Sequence, residues 1–191
     1  TGGGEDSVIV NDSATSLRLD LGGGDDSVTS TTTDDNLTVQ RAYVARLGSI
    51  DVVGVQNVTL GAGADTATIA AGGSLTSLNA GAGADTLNTN ESANSLTINA
   101  SAAGTVDGTG ISSFETINTL AGDDSVTVNN SATALSLNTG DGTDSLTSTT
   151  TADNLTVSGV NAGSLGSISF TGLENVTLGA GADTATIAAG G

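Results

Sequence analysis

The spacing of one residue type constrains the fold more than any other feature. Seven Asp residues recur along the chain with strictly alternating short and long spacings, and the long spacing is close to twice the short one. They are Asp6, Asp26, Asp65, Asp85, Asp124, Asp144 and Asp183. Each closes a short turn that contains glycine, and each is followed by Ser or Thr and then by an apolar residue. A fixed period of this kind indicates stacked, similar units.

The whole sequence follows the same period. Alignment of residues 1–73 with residues 119–191 gives 48 identities over 73 positions, and residues 57–73 are identical to residues 175–191. A shift by half that offset also superimposes the Asp residues and the apolar positions. The predicted repeat units are therefore 1–59, 60–118, 119–177 and the partial unit 178–191. We expect them to form one continuous solenoid, cut from a longer chain of the same kind.

Short apolar alternation within each unit predicts the fold class. Runs such as Ser7-Val8-Ile9-Val10 alternate over a few residues and are broken by Gly, Asn, Asp or Ser, which indicates strands and leaves no room for helices. Each unit divides into three segments of nearly equal length, which are 1–20, 21–40 and 41–59 in the first unit. The prediction is an all-β parallel β-helix, a β-solenoid of about 20-residue coils with three coils per repeat. With no Trp or Met, its core must be narrow and aliphatic.

The charge balance excludes several partners. The chain has 21 acidic residues and three basic ones, for a net charge of −18. Nucleic acid and anionic membrane surfaces are therefore poor partners, and no apolar run approaches the length of a membrane span. Self-repulsion of this size destabilises a compact state unless cations neutralise part of it. There is no Cys, so disulfides cannot supply the stability.

The turns themselves suggest which cation. Calcium takes several oxygen ligands from carboxylates and backbone carbonyls in a flexible arrangement, and glycine at alternate positions lets a turn direct its carbonyls to one point. When the turn recurs one coil later, an ion can lie between the two copies. The alternative is purely structural: the glycines form corners, and Asp accepts backbone N–H bonds.

The turns resemble the Gly-Gly-x-Gly-x-Asp nonapeptide of RTX proteins, whose calcium-loaded repeats form a parallel β-roll in secreted toxins, adhesins and surface proteins. The resemblance covers seven turns and implies calcium as the cofactor. It also implies metal-site roles for the seven Asp residues and for the turn glycines Gly2, Gly4, Gly22, Gly24, Gly61, Gly63, Gly81, Gly83, Gly122, Gly140, Gly142, Gly179 and Gly181. The segment 174–184 also resembles the long repeat regions of large bacterial surface proteins.

The sequence departs from the RTX pattern in two ways. The first Gly of the motif is absent from every turn, and Leu120 replaces the second Gly of the fifth turn. Turns also come only once per coil, so we do not expect the two-sided roll of that family. Stacking predicts three paired sites, Asp6/Asp26, Asp65/Asp85 and Asp124/Asp144. The third coil should interrupt the metal column, and Asp183 should lack a partner.

Together these observations predict a structural role. We expect a segment of a secreted or cell-surface protein that forms a calcium-stiffened rod or extracellular filament and acts in adhesion, spacing or self-assembly. Its partners would be copies of itself, neighbouring repeats or a surface glycan. The alternative is an adhesin module that binds a glycan, mineral or ice surface. An enzyme is not expected, because the chain has no His or Lys and the acidic turn recurs in every unit.

Overall fold

The computed structural model describes residues 2–100 and 103–188. The described part is all-β, and its strands are short. None of it forms a helix that could cross a membrane. Two compact units can be distinguished: Thr1–Thr89 with Gly108–Phe114, and Asn90–Asp107 with Glu115–Gly191. Residues 1, 101–102 and 189–191 lie outside the described residues. The start of the first predicted repeat and the end of the last one are among them.

The strands are numbered in chain order. Those of the first unit are β1 (Gly2–Gly3), β2 (Ser7–Val10), β3 (Leu17–Asp20), β4 (Gly22–Gly23), β5 (Ser27–Ser30), β6 (Asn36–Arg41), β7 (Val44–Leu47), β8 (Ile50–Val53), β9 (Asn57–Thr59), β10 (Ala62–Gly63), β11 (Thr66–Ile69), β12 (Ser77–Asn79), β13 (Ala82–Gly83), β14 (Thr86–Asn88) and β17 (Thr109–Ser112). Those of the second unit are β15 (Ser95–Ile98), β16 (Ala103–Val106), β18 (Thr116–Asn118), β19 (Ser125–Val128), β20 (Leu135–Asn138), β21 (Asp144–Ser148), β22 (Asn154–Gly159), β23 (Ala162–Leu165), β24 (Ile168–Thr171), β25 (Leu173–Thr177) and β26 (Thr184–Ile187).

The first unit is built from two main sheets that the chain visits in turn. One contains β2, β5, β9 and β12 in parallel, with β17 at its edge. The other has the order β3-β8-β7-β6-β11-β14. Successive segments of the chain enter opposite sheets, so a coil of two strands forms one layer of each sheet. This arrangement is consistent with a β-solenoid.

The second unit follows the same plan. One sheet contains β16, β15, β19, β21 and β25, and the other contains β18, β20, β24, β23, β22 and β26. Pairings between successive coils are parallel in both sheets. The strands within each hairpin pair antiparallel, as in β15–β16 and in the meander β22–β23–β24.

The hairpins correct the predicted number of coils per repeat. Ser7 pairs with Ser27, but Ser27 pairs with Asn57, so the second step along the chain is half as long again as the first. The meander β6–β7–β8 lies between β5 and β9 and accounts for the difference. The chain of the first repeat therefore enters the two sheets five times, if the meander is counted once. Five entries make two and a half coils instead of three.

An odd number of half-coils has a consequence for successive repeats. It puts corresponding strands, such as β2 and β11, in opposite sheets.

The core consists of apolar columns that run across the strands. In one sheet of the first unit, Val28, Val58 and Leu78 are paired in register, and each is at most 2% exposed. In the other sheet, Leu37 and Ala67 are paired in the same way and are equally buried. Each column places one side chain per coil inside, and burial of a Val or Leu side chain contributes about 1.5–3 kcal/mol. Aliphatic side chains therefore make up most of the core, as predicted, and Phe114 and Phe170 are buried as well.

Candidate functional site

The acidic turns of each predicted pair are stacked directly on one another. Gly2 pairs with Gly22, Ala62 with Ala82, and Ala121 with Asp141, all in parallel. Stacking brings the three predicted Asp pairs onto adjacent coils.

Close stacking explains why the second turn of each pair carries glycine. A Cβ atom on Gly22 would lie 1.8 Å from the carbonyl oxygen of Gly2, and one on Gly140 would lie 1.6 Å from that of Leu120. Both glycines also have positive φ angles, +90° and +85°. A Cβ on Gly2, in the first turn, would contact nothing within 4 Å. Leu120 occupies the position that corresponds to Gly2 in the fifth turn, with a positive φ of +67° and its side chain 40% exposed.

Hydrogen bonds between coils join the paired Asp residues. The backbone N–H groups of Asp6, Asp65 and Asp124 each donate to Oδ1 of the Asp one coil later, over 2.8 Å. The next residue returns a bond, since the N–H of Ser27 donates to the carbonyl of Asp6 over 2.8 Å. The carboxylate thus accepts from an N–H group just before a strand begins. We call this chain of bonds the carboxylate ladder.

The ladder continues beyond the predicted pairs. The N–H of Asp26 donates to Oε1 of Gln56, and that of Asp144 donates to Oε2 of Glu174, both over 2.7 Å. The hydrogen-bonded ladder is therefore continuous at the third coil, whereas the predicted interruption of a metal column stays a prediction. A longer amide or carboxylate side chain takes the place of Asp there.

The ladder also begins earlier than predicted. The N–H groups of Asp35 and Asn94 donate to Oδ1 of Asp65 and Asp124 over 2.7 Å. The backbone N–H of Asp153 donates to Oδ1 of Asp183 over 3.0 Å, whereas the absence of a second turn Asp paired with Asp183 stays a prediction. Sequence reasoning missed these loop residues because they belong to no glycine turn. Their spacing equals the length of the predicted repeat, and that signal could have revealed them.

Most of the ladder carboxylates are buried. Asp26, Asp65, Asp124 and Asp144 are at most 1% exposed, whereas Asp6 is half-buried. Oδ2 of Asp26, Asp65 and Asp144, and that of Asp35, has no hydrogen-bond partner. A buried ionised group without compensation is costly. The two ion pairs among the described residues, Arg18–Asp20 and Arg46–Asp51, are exposed and do not offset that cost.

The pKa values reflect this environment. Burial raises the pKa of Asp65; the N–H bond from Asp35 opposes the shift, and repulsion from Asp85, Asp35 and Asp34 adds to it. Burial also raises the pKa of Asp124, against hydrogen bonds from Thr119 and Asn94.

The pKa of Asp153 shifts in the other direction. Burial alone would raise it, but bonds from Thr150, Ser148 and Gly179 outweigh burial and lower it. The ladder therefore contains carboxylates that resist ionisation and others that favour it.

The buried carboxylate oxygens could supply part of the ligand shell of a hard cation. Calcium prefers carboxylate and carbonyl oxygens, and the buried Oδ2 atoms of Asp26, Asp65 and Asp144 are carboxylate oxygens that no protein donor contacts. Within residues 2–100 and 103–188, no three His, Cys, Asp or Glu side chains form a metal-binding group. Any ion held here would take one or two carboxylates and complete its shell with backbone oxygens or water.

No known protein family matches the chain, and neither does any curated protein or solved structure. Function must therefore be inferred from the ladder itself.

Proposed function

We propose that the chain is a structural repeat segment of a secreted or cell-surface protein and forms a calcium-stiffened rod or filament. Its fold would be a β-solenoid with glycine turns similar to those of RTX proteins, acting in spacing, adhesion or self-assembly with copies of itself or adjoining repeats. Calcium would be held at the stacked turns by Asp6/Asp26, Asp65/Asp85 and Asp124/Asp144, and beside Asp183. Its chemical contribution is to neutralise carboxylates at the point where coils meet.

One observation carries this proposal. Buried Oδ2 atoms without partners recur at the stacked turns of both units, at Asp26, Asp65 and Asp144. A catalytic role would need one asymmetric site, whereas here the same arrangement recurs with the repeat. Recurrent buried charge at coil junctions is what a rod stabilised by cations requires, because stability in such a stack is a sum over neighbouring coils.

Thermal unfolding with calcium or with a chelator tests the proposal. We expect the wild-type melting temperature to rise with calcium, because binding to the folded state adds RT ln(1 + [L]/Kd) to stability. The double variant Asp26→Asn/Asp144→Asn keeps an oxygen acceptor at both positions but removes two buried charges. It should be more stable than the wild type in chelator and should lose much of the calcium-dependent rise.

The matched control is Asp12→Asn/Asp107→Asn, which makes the same change in net charge at exposed positions outside the glycine turns. It should keep the full calcium response. An unchanged melting temperature and circular dichroism spectrum of the wild type on adding calcium would refute the calcium part of the proposal. If both double variants lost the same part of the calcium-dependent rise in melting temperature, the rise would depend only on the net charge of the protein.

A further inference from the structure

One step of the ladder occurs three times with different side-chain environments. It joins the loop residue that opens the ladder to the Asp of the following glycine turn, and we call it the loop-to-turn step. Its three copies are Asp35–Asp65, Asn94–Asp124 and Asp153–Asp183, with N–H to Oδ1 distances of 2.7, 2.7 and 3.0 Å. The backbone bond is the same in each copy. The copies differ in how the loop side chain is satisfied.

In the middle copy the loop residue is Asn94, whose side-chain amide donates hydrogen bonds. Nδ2 of Asn94 has four oxygen atoms between 2.5 and 3.3 Å away: the carbonyl oxygens of Asn90, Ser92 and Thr119, and Oδ1 of Asp124. An amide has only two N–H hydrogens. The site is therefore an oxygen-lined position that holds a group with partial positive charge.

In the third copy the loop carboxylate is saturated by protein donors. Oδ1 of Asp153 accepts from the hydroxyl groups of Ser148 and Thr150, and Oδ2 accepts from the N–H of Gly179 over 3.1 Å. These bonds leave both oxygens compensated. No further positive group is needed at this copy.

In the first copy the loop residue is a carboxylate that is neither replaced by an amide nor fully hydrogen-bonded. Oδ1 of Asp35 accepts from the Thr32 hydroxyl, but its Oδ2 is buried without a partner, and the residue is 3% exposed. Oδ2 of Asp65, at the other end of the step, is likewise buried without a partner. A third carboxylate, Asp34, lies beside them and accepts from the N–H of Ala64 over 2.8 Å. The corresponding residues in the other copies are alanines, Ala93 and Ala152.

We propose that Asp35 and Asp65 hold a divalent cation, with calcium as the fitting ion, on the side of Asp65 that meets the preceding loop, so that the site shares Asp65 with the stacked turns. The ion supplies the positive charge that the amide of Asn94 supplies in the middle copy. Sequence correspondence assigns the carbonyl groups of Thr31, Thr33 and Leu60 to the positions of Asn90, Ser92 and Thr119. Two carboxylates with backbone oxygens are a ligand set that calcium accepts. This site rests on the proposed function only for the identity of the ion.

Calorimetric titration with calcium tests the site, because it counts bound ions. Asp35→Asn supplies the amide that the middle copy already uses. It should bind one calcium ion fewer than the wild type and should melt at a higher temperature in chelator. The matched control is Asp153→Asn, which makes the same change where the carboxylate is already hydrogen-bonded, and it should bind as many ions as the wild type.

The reverse exchange is Asn94→Asp, which removes the amide from the middle copy. It should lower the melting temperature in chelator and bind one additional calcium ion. An Asp35→Asn variant with wild-type calcium stoichiometry would overturn the inference even if Asn94→Asp fails to fold. Because Asp26→Asn/Asp144→Asn reports on the stacked turns and Asp35→Asn on the loop-to-turn step, either site can fail while the other stands.

Discussion

The turns that end at Asp65 and Asp124 accept the same backbone hydrogen bond but compensate their charge differently. Both carboxylates are buried, both accept an N–H from the preceding coil over 2.7 Å, and burial raises the pKa of both. Oδ2 of Asp124 accepts from the Thr119 hydroxyl, whereas Leu60 occupies the corresponding position before Asp65, whose Oδ2 has no partner. The repeat thus sets the geometry of the turn, and single substitutions nearby set its electrostatics.

The largest effect is expected from replacing a glycine in the turn that stacks on each of these two turns. The loss of stability should be similar in the two cases. We expect Gly81→Ala and Gly140→Ala each to cost on the order of 3 kcal/mol or more in unfolding free energy. The added Cβ would lie 2.1 Å from the Gly61 carbonyl oxygen in one case and 1.6 Å from that of Leu120 in the other. Chemical denaturation in chelator measures the cost.

The control for this comparison is Gly23→Ala. A Cβ there contacts nothing within 4 Å, and Gly23 does not have a positive φ. It should change stability by less than about 1 kcal/mol. If all three variants were equally stable, the close stacking of the turns would be incorrect.

Loss of the Thr119 hydroxyl should make the turn that ends at Asp124 resemble the turn that ends at Asp65. Thr119→Val should cost about 2 kcal/mol, because a hydrogen bond to a charged group contributes roughly 1.5–3 kcal/mol. It should also raise the pKa of Asp124 further, since the Thr119 bond lowers it. NMR titration of the carboxyl carbon in the chelated protein measures this shift.

The reciprocal variant is Leu60→Thr, which offers Asp65 the donor that it lacks. The pKa of Asp65 should fall in this variant, whatever stability is lost with the buried Leu side chain. If neither substitution moved its neighbouring pKa, the contrast between the two turns would have no electrostatic basis.

Acidification should have the smallest effect. The folded-state pKa of Asp65 is raised, so folding favours its protonated form. The stability gained is complete below the ordinary Asp pKa of about 3.9 and is lost as pH rises through the raised value. In chelator, the melting temperature should therefore rise as pH falls from neutral toward the ordinary Asp pKa. Asp65→Asn, which cannot ionise, should show less of this rise.

Asp153 provides the opposite case. Its lowered pKa contributes stability that is present above the ordinary Asp value and is lost as pH falls through the lowered one. Asp153→Asn should therefore not reduce the rise seen on mild acidification. A wild-type melting temperature that falls steadily from neutral pH downward would show that the raised pKa values are not significant for stability.

Much of the site could be read from local patterns. The glycine turns, their pairing one coil apart and the burial of Val28, Val58 and Leu78 follow from strand alternation and from the regular return of the turn. The loop residues Asp35, Asn94 and Asp153 could not be identified in that way, because their role depends on which turn stacks on them after the intervening hairpin. The coil count was mistaken for a related reason, since the meander β6–β7–β8 adds strands to one sheet without adding a coil.

The sequence by itself determined the all-β class, the length of the repeat and the stacked pairs of acidic turns, because alternation and glycine content act over a few neighbouring residues. Only the tertiary structure decided that the strands form two sheets and that the ladder passes through Gln56 and Glu174. It also decided which carboxylate oxygens remain without a partner. The physical reason is that each of these features depends on a contact between coils, and the hairpins set the distance along the chain at which coils meet.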